Sequence, residues 1–205
     1  MKKLTYLICV MILSATERVS WGAQFLLASG GEYNQLQMTN ALGTGDAYYA
    51  GVGYIIGARL RLEIPLVIRG SRSTLDFWGS YQNYQTINTA DTSEKNALTP
   101  ISVGIQSRLK ILPFNVAYFL MGFDYKMTNS VITSGLSTYS KIYGTLGLSL
   151  GLEIPFTPWL SLQTLGTQHM GLAPGTTNNS GSRGVSELTG TVLLQLRLLQ
   201  IGYDH

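Results

Sequence analysis

Cysteine is all but missing from this chain: the one cysteine among its 205 residues is Cys9, inside an N-terminal apolar run. Beyond that run neither a disulfide nor a thiolate site can form. Histidine is almost as scarce, with two residues, so a metal centre built from histidine and cysteine is excluded. Charge is thin too. Asp, Glu, Lys and Arg make up 12% of the chain, whereas a water-soluble surface carries about 25–35% of them. Long apolar runs are absent after the N-terminus, which excludes a transmembrane helix of about 20 residues. No glycine loop precedes a helical pattern; Gly51-Val52-Gly53 falls inside an alternating stretch, so a phosphate cradle is not indicated.

The N-terminus reads as an export signal. Met1-Lys2-Lys3 is basic, and Leu4–Ala15 is an apolar run of 12 residues, too short to span a bilayer. Ser20-Trp21-Gly22 places small residues where a signal peptidase needs them, so residues 1–22 are expected to be removed and 23–205 to form one domain. An earlier cut after Ala15 is the alternative. Leu7-Ile8-Cys9 lacks the small residue of a lipidation box. Three of the 14 Lys and Arg (Lys2, Lys3, Arg18) and one of the 11 Asp and Glu (Glu17) lie in the signal, leaving 11 against 10. No basic patch remains to argue for nucleic acid.

What is abundant is alternation. In Ala50–Glu63 the even positions (Ala50, Val52, Tyr54, Ile56, Ala58, Leu60, Leu62) are uncharged and apolar, and the odd ones run from glycine to Arg59, Arg61 and Glu63. That is the period of a strand. The pattern recurs around Ile101–Ile111, Lys141–Glu153 and Glu187–Leu198, and more weakly in Arg72–Tyr84, Val116–Met127 and Trp159–His169. Ala23–Met38 alternates poorly but completes an even count of eight. A poorly charged chain without apolar helices satisfies its backbone in lipid by closing a sheet into a barrel. The expected fold is therefore all-β: an eight-stranded antiparallel up-and-down transmembrane barrel.

Connections near Thr39–Gly45, Thr86–Ala97, Thr128–Thr138 and Gly171–Gly184 are polar, and those near Ile64–Arg69, Leu112–Phe114 and Ile154–Pro158 are short and contain proline. Long external loops and short periplasmic turns alternate in this way in outer-membrane barrels. Leu-Glu-Ile-Pro occurs twice, ending at Pro65 and Pro155, with a looser copy at Pro113. These prolines are expected to mark the periplasmic turns, where the ladder must end. Alternation alone leaves open a soluble barrel with an apolar interior. The sparse Gly, Ser, Thr and Gln face is too weakly charged for a solvated exterior, which puts the apolar face outside. Tyr48, Tyr81, Tyr125 and Tyr139 then form one interfacial girdle, and Phe114, Phe156, Trp159 and Tyr203 the other.

In this architecture the chain resembles the small eight-stranded outer-membrane barrels of Gram-negative bacteria, such as the OmpA transmembrane domain and OmpX. The resemblance implies residence in the outer membrane among lipid and lipopolysaccharide, and insertion by the barrel-assembly machinery. Barrels of this class end on an aromatic residue; here Tyr203 stands two positions short of the end.

Inward parity gathers Arg59, Arg61, Glu63, Asp76, Arg108, Lys110, Glu153 and Arg197 toward the proline-marked half, five cations against three anions. Unpaired burial is costly, so these groups are expected to pair across the lumen. A barrel of eight strands is just wide enough for side chains to fill. A constriction selecting anions is the alternative. Asp124, Lys126 and Lys141 form an upper set, expected to be a local charge pair. His169, with Ser180 or Ser182 and Glu187, can be drawn as a Ser-His-Glu set such as lipid A deacylases of the PagL type carry. In that type a serine sits two residues after the histidine, where this chain has Gly171. The expectation is a non-enzymatic barrel without cofactor or metal, acting structurally or through its external loops on a surface ligand. A narrow channel and a lipid A-modifying enzyme are the alternatives.

Overall fold

Alternation of apolar and polar residues becomes eight strands that close on themselves. The computed structural model describes residues 22–39, 46–68, 71–110, 117–173 and 183–201. The strands are β1 (Ala23–Thr39), β2 (Asp46–Ile68), β3 (Ser71–Asn88), β4 (Glu94–Lys110), β5 (Tyr118–Ser134), β6 (Ser137–Thr157), β7 (Leu160–Ala173) and β8 (Arg183–Ile201). Each pairs antiparallel with the next, and β8 returns to β1 with Ala23 opposite Ile201. Ala23 and Ile201 thus share one end of the barrel; the opposite end is called the rim here. Closure leaves no full-length sheet edge to pair with a stranger.

The apolar face is outside. Phe25, Val52, Ile56, Phe77, Val103, Phe123, Leu148 and Val192 are among the large apolar side chains exposed on the wall. Inward positions are taken by buried Arg59, Arg61, Asp76, Gln106, Lys126, Glu153, Gln163 and Gln195. In β1, β4 and β5 the apolar outer row runs over Phe25–Tyr33, Ile101–Leu109 and Phe119–Met127, nine residues each. That matches the roughly 9–11 residues a tilted strand needs to cross the hydrocarbon layer. Ser107, an outward polar residue in this band, satisfies its hydroxyl on the carbonyl of Met121 (3.1 Å).

Toward the rim the polarity inverts. Outward positions become Gln35, Gln37, Asn83, Gln85, Thr99, Asn129, Thr138 and Ser140. Inward positions gain Leu36, Met38, Ala47, Tyr49, Tyr84, Leu98, Ile132, Tyr143 and Val185, a core cluster with exposures of 0–3% apart from Ala47 at 5%, interleaved with buried Thr86, Asn88, Glu94, Asn96 and Ser130. The two switches coincide because the outside solvent changes. Once the wall meets water, the strands hold together as a small soluble barrel does, around an apolar interior.

Several expectations change in the structure. Thr128–Thr138 is not a long loop: β5 and β6 run through it and meet in a two-residue turn, Gly135-Leu136, with Gly135 at φ 59°. That backbone is left-handed and favours glycine. The remaining rim connections span residues 40–45, 89–93 and 174–182, while the connection 111–117 at the terminal end is longer than the first two of these. Long and short connections therefore do not alternate strictly. The prolines do not end their ladders either. Pro155 pairs with Ser161 and Thr157 with Leu160, so the strand continues past a one-residue irregularity at Phe156. Pro65 likewise sits inside β2, between the pairs Ile64–Ser73 and Ile68–Ser71. Proline removes one donor and the strand bulges around it. Pro113, Phe114 and Tyr203 lie outside the described residues, as does the expected signal up to residue 21. Tyr48, Tyr81, Tyr125, Phe156 and Trp159 are exposed on the wall. Tyr139 instead faces inward, packed against the rim core.

Candidate functional site: the lumen

The lumen is layered from the terminal end upward. Its lowest described layer centres on Arg61, which is 1% exposed. Register places Arg61 directly opposite Asp76, and Nε and Nη2 each donate to that carboxylate at 2.9 Å. The same guanidinium reaches Glu153 on β6, across the barrel from β2, with Nη1 at 3.2 Å and Nη2 at 2.7 Å. Arg108 joins Glu153 at 3.0 Å, and Arg59 stands 3.9 Å from Asp76. Bidentate geometry of this kind is what the planar guanidinium supplies and an ammonium does not. Arg59 also lies 5.7 Å from the centroid of the Trp78 ring, and Arg108 stacks on Tyr118.

Of the eight side chains expected to gather here, five meet: Arg59, Arg61, Asp76, Arg108 and Glu153. Arg197 is half-buried and donates to Gln200 at 2.9 Å. Glu63 and Lys110 belong to β2 and β4, but their side chains lie outside the described ones.

An amide ladder crosses the same layer. Arg59 donates to Gln106, Gln163 donates to Gln106 at 2.9 Å, Gln195 donates to Gln163, and Ser161 donates to Gln195 at 3.2 Å. Alternation in Ile101–Ile111 and Glu187–Leu198 puts Gln106 and Gln195 on the polar face. Their signal was inward parity: a long amide aimed into a narrow lumen must bond something.

The second layer is built on Lys126, fully buried, with Nζ 2.6 Å from Glu187 and 4.0 Å from Glu32. Tyr84 bonds Glu32 at 2.6 Å, Asn34 donates to Glu187, and the Lys126 ammonium lies 5.2 Å from the Tyr84 ring centroid. Asp124 bonds Nε2 of His169 at 2.8 Å. Gly147 makes room for that pair, since a Cβ there would collide with Asp124 Oδ1 and the His169 ring. Glu32 was invisible in the sequence because the Gly30-Gly31 pair blurs the alternation around it. Lys141 is buried toward the rim.

His169 stands opposite Glu187 in the β7–β8 register but bonds another carboxylate. Its partner is Asp124, it is 4% exposed, and it faces the lumen rather than the lipid-facing wall. Glu187 is engaged by Lys126 and Asn34; Ser180 and Ser182 lie outside the described residues. Between the two charged layers, a cavity of ≈ 30 Å³ is lined by Glu32, Arg59, Trp78, Asp124 and His169 among others. That leaves room for a few waters. Above the second layer comes the apolar rim core. Among the described residues no group of three or more His, Cys, Asp or Glu is placed to hold a metal ion.

No family model matches this chain, and no curated protein does. Solved structures match it in fold. It is similar to Neisserial surface protein A at a TM-score of 0.53 and 13% identity, over 86% of this chain and 99% of that one. It is similar to Ail, the attachment invasion locus protein of Yersinia pestis, at 0.52 and 10% identity, over 88% and 100%. Both are eight-stranded outer-membrane barrels, and the fold of this chain is theirs.

Proposed function

We propose, from the premise that this is a small outer-membrane barrel, that its lumen is closed by its own side chains and that it acts through its rim. The observation behind this reading is the stacking of three filled layers. The Arg61 cluster, the Lys126 cluster and the apolar rim core each cross the lumen, and the cavity between the first two is of water size. A hydrated ion passing along the axis has to break all three. Opening the charged layers alone leaves carboxylates and guanidiniums unpaired in a space with little water, which is strongly unfavourable.

With transport set aside, what remains is the water-side wall and the connections between strands at the rim. These carry whatever specificity the protein has, as loops on a rigid scaffold do. The name of one fold neighbour, an attachment invasion locus protein, is in keeping with a surface role. Export through a signal removed before Ala23, contact with lipopolysaccharide along the wall and insertion by the barrel-assembly machinery belong to the same reading. So does the absence of catalysis, because His169 is turned from the lipid where a deacylase substrate lies.

The test is single-channel recording of the refolded protein in a planar bilayer. A closed lumen gives no steps under conditions where a parallel sample proves folded. Discrete, reproducible openings sink the proposal in favour of a narrow channel.

A further inference from the structure

Where the outer wall passes from lipid to water it carries a groove of ≈ 410 Å³ that crosses β7, β8, β1 and β2. Register brings residues from all four strands to it. Gln37 stands opposite Tyr48 on one side and Ser186 on the other; Gln35 is opposite Leu188, which in turn is opposite Gln168. These six side chains share the outward parity. Nε2 of Gln168 donates to Ser186 at 3.0 Å, that of Gln35 to the Tyr33 hydroxyl at 3.1 Å, and that of Gln37 to Asp46 at 3.4 Å. Those bonds hold the three amides through their nitrogens and leave the amide oxygens as acceptors. Tyr48 adds a ring that is 55% exposed.

The groove continues downward onto the lipid-facing wall. Two residues below Gln168 and Leu188, the outward positions are Gly166 and Gly190, directly opposite each other. Leu150 on β6 and Tyr33 on β1 flank the pair. A Cβ on either glycine would meet nothing within 4 Å, so the floor here is bare backbone between outward side chains. A ligand that fills both parts is apolar at one end and rich in hydrogen-bonding groups at the other. Charge narrows the choice. In the rim half of these four strands no described Lys or Arg side chain faces outward, and the charge beside the groove is the carboxylate of Asp46. A phosphate or sulfate head group would find no guanidinium or ammonium to pair with, and would meet a like charge.

We infer that this groove binds a membrane glycolipid whose sugar head group carries no charge. The acyl chain lies across Gly166 and Gly190. Sugar hydroxyls, each both donor and acceptor, meet the amides of Gln35, Gln37 and Gln168, and the Tyr48 ring covers an apolar face of the sugar. A concave site with a small number of placed polar groups is the usual form of a small-molecule pocket, and this volume lies in its range. The inference rests on the lipid-facing wall described above and names the class of lipid that the wall selects. It does not depend on whether the lumen conducts.

The experiment uses the full chain, isotope-labelled, in phosphatidylcholine nanodiscs, with the side-chain amides of Gln35, Gln37 and Gln168 followed by NMR. The probe is monoglucosyl diacylglycerol titrated into the disc. Phosphatidylglycerol is the charged comparison, and free glucose separates a bound lipid from a bound sugar. The inference requires shifts at the three glutamines and at the Gly166 and Gly190 backbone that saturate with the glucosyl lipid, and no such response to phosphatidylglycerol or to glucose. Gln35→Leu with Gln37→Leu, confirmed as folded, must weaken binding read at Gln168 by about tenfold or more, as the loss of two hydrogen bonds implies. Gly166→Val with Gly190→Val, which places side chains in open space, must weaken it as well. Shifts that rise without saturation along the whole wall are ordinary lipid mixing and overturn the inference. So do an equal response to phosphatidylglycerol, saturation by free glucose, or no response at all. Each of these outcomes leaves a silent barrel silent, so failure here is separable from failure of the closed-lumen reading.

Discussion

Glu153 is the residue whose loss should hurt the barrel most. It accepts from both nitrogens of Arg61 and from Arg108, and it is buried. Glu153→Gln keeps the shape and removes the charge; among the described side chains Asp76 then remains paired with Arg59 and Arg61, and Arg108 loses its ion pair. Breaking a buried ion pair from one side costs about 3–5 kcal/mol. Arg61→Met removes the central cation instead. Arg59 then remains 3.9 Å from Asp76 and Arg108 3.0 Å from Glu153, two cations to two anions. Each of the four hydrogen bonds lost to those carboxylates is worth roughly 1.5–3 kcal/mol, and the charge balance that remains recovers part of it. With a urea slope of about 1–3 kcal/mol/M for small proteins, Glu153→Gln lowers the unfolding midpoint by at least about 1 M, and Arg61→Met by less. The assay is equilibrium urea unfolding in lipid vesicles, followed by the fluorescence of Trp78 beside Arg59 and by mobility in cold SDS. If Arg61→Met is the more damaging of the two, or if both cost under about 1 kcal/mol, the pairing logic of this layer is wrong.

Other consequences are as direct. Replacing Arg59 and Arg108 together by Gln is expected to weaken the barrel without producing conductance, because the Lys126 layer and the rim core still cross the lumen; planar-bilayer recording decides. Leu148→Arg, on the apolar wall, should cost about 2–4 kcal/mol and Ser140→Arg, above the boundary, about 0–1 kcal/mol, measured by the same urea titration. Ile132→Ala in the rim core should cost about 2–5 kcal/mol and loosen the rim first, visible as faster amide exchange in β4 and β5 near their rim ends. Expression in a Gram-negative host should leave the lipid A mass spectrum unchanged, and His169→Ala should make no difference to it.

The wall and the lower lumen were legible in the sequence because one period governs both. Wherever the outside is lipid, every second residue must be apolar, so parity alone sends Arg59, Arg61, Asp76, Arg108 and Glu153 inward. Above the boundary that inference reverses. Leu36 and Met38 are buried while Gln35 and Gln37 face out, and a single rule applied to Ala23–Met38 sees only poor alternation. The same change of solvent explains Thr128–Thr138. Its Asn, Ser and Thr look like loop residues, yet Asn129 and Thr133 belong to the outer face of a water-exposed strand whose inner face holds Thr128, Ser130 and Ile132. Partners across the lumen were not legible at all. Which strand faces which depends on closure and stagger, so the reach of Lys126 to Glu187 and Glu32, and of His169 to Asp124, exists only in the closed barrel.

Everything above depends on the apolar face being turned to lipid, and one comparison addresses that directly: electrophoretic mobility of the membrane-extracted protein in SDS, unboiled against boiled, beside its distribution between membrane and soluble periplasmic fractions. A closed lipid-facing barrel stays with the membrane and runs at a different apparent mass until heated. A protein found in the soluble fraction, with the same mobility before and after boiling, places the apolar face inside and contradicts the wall, the boundary and the rim together.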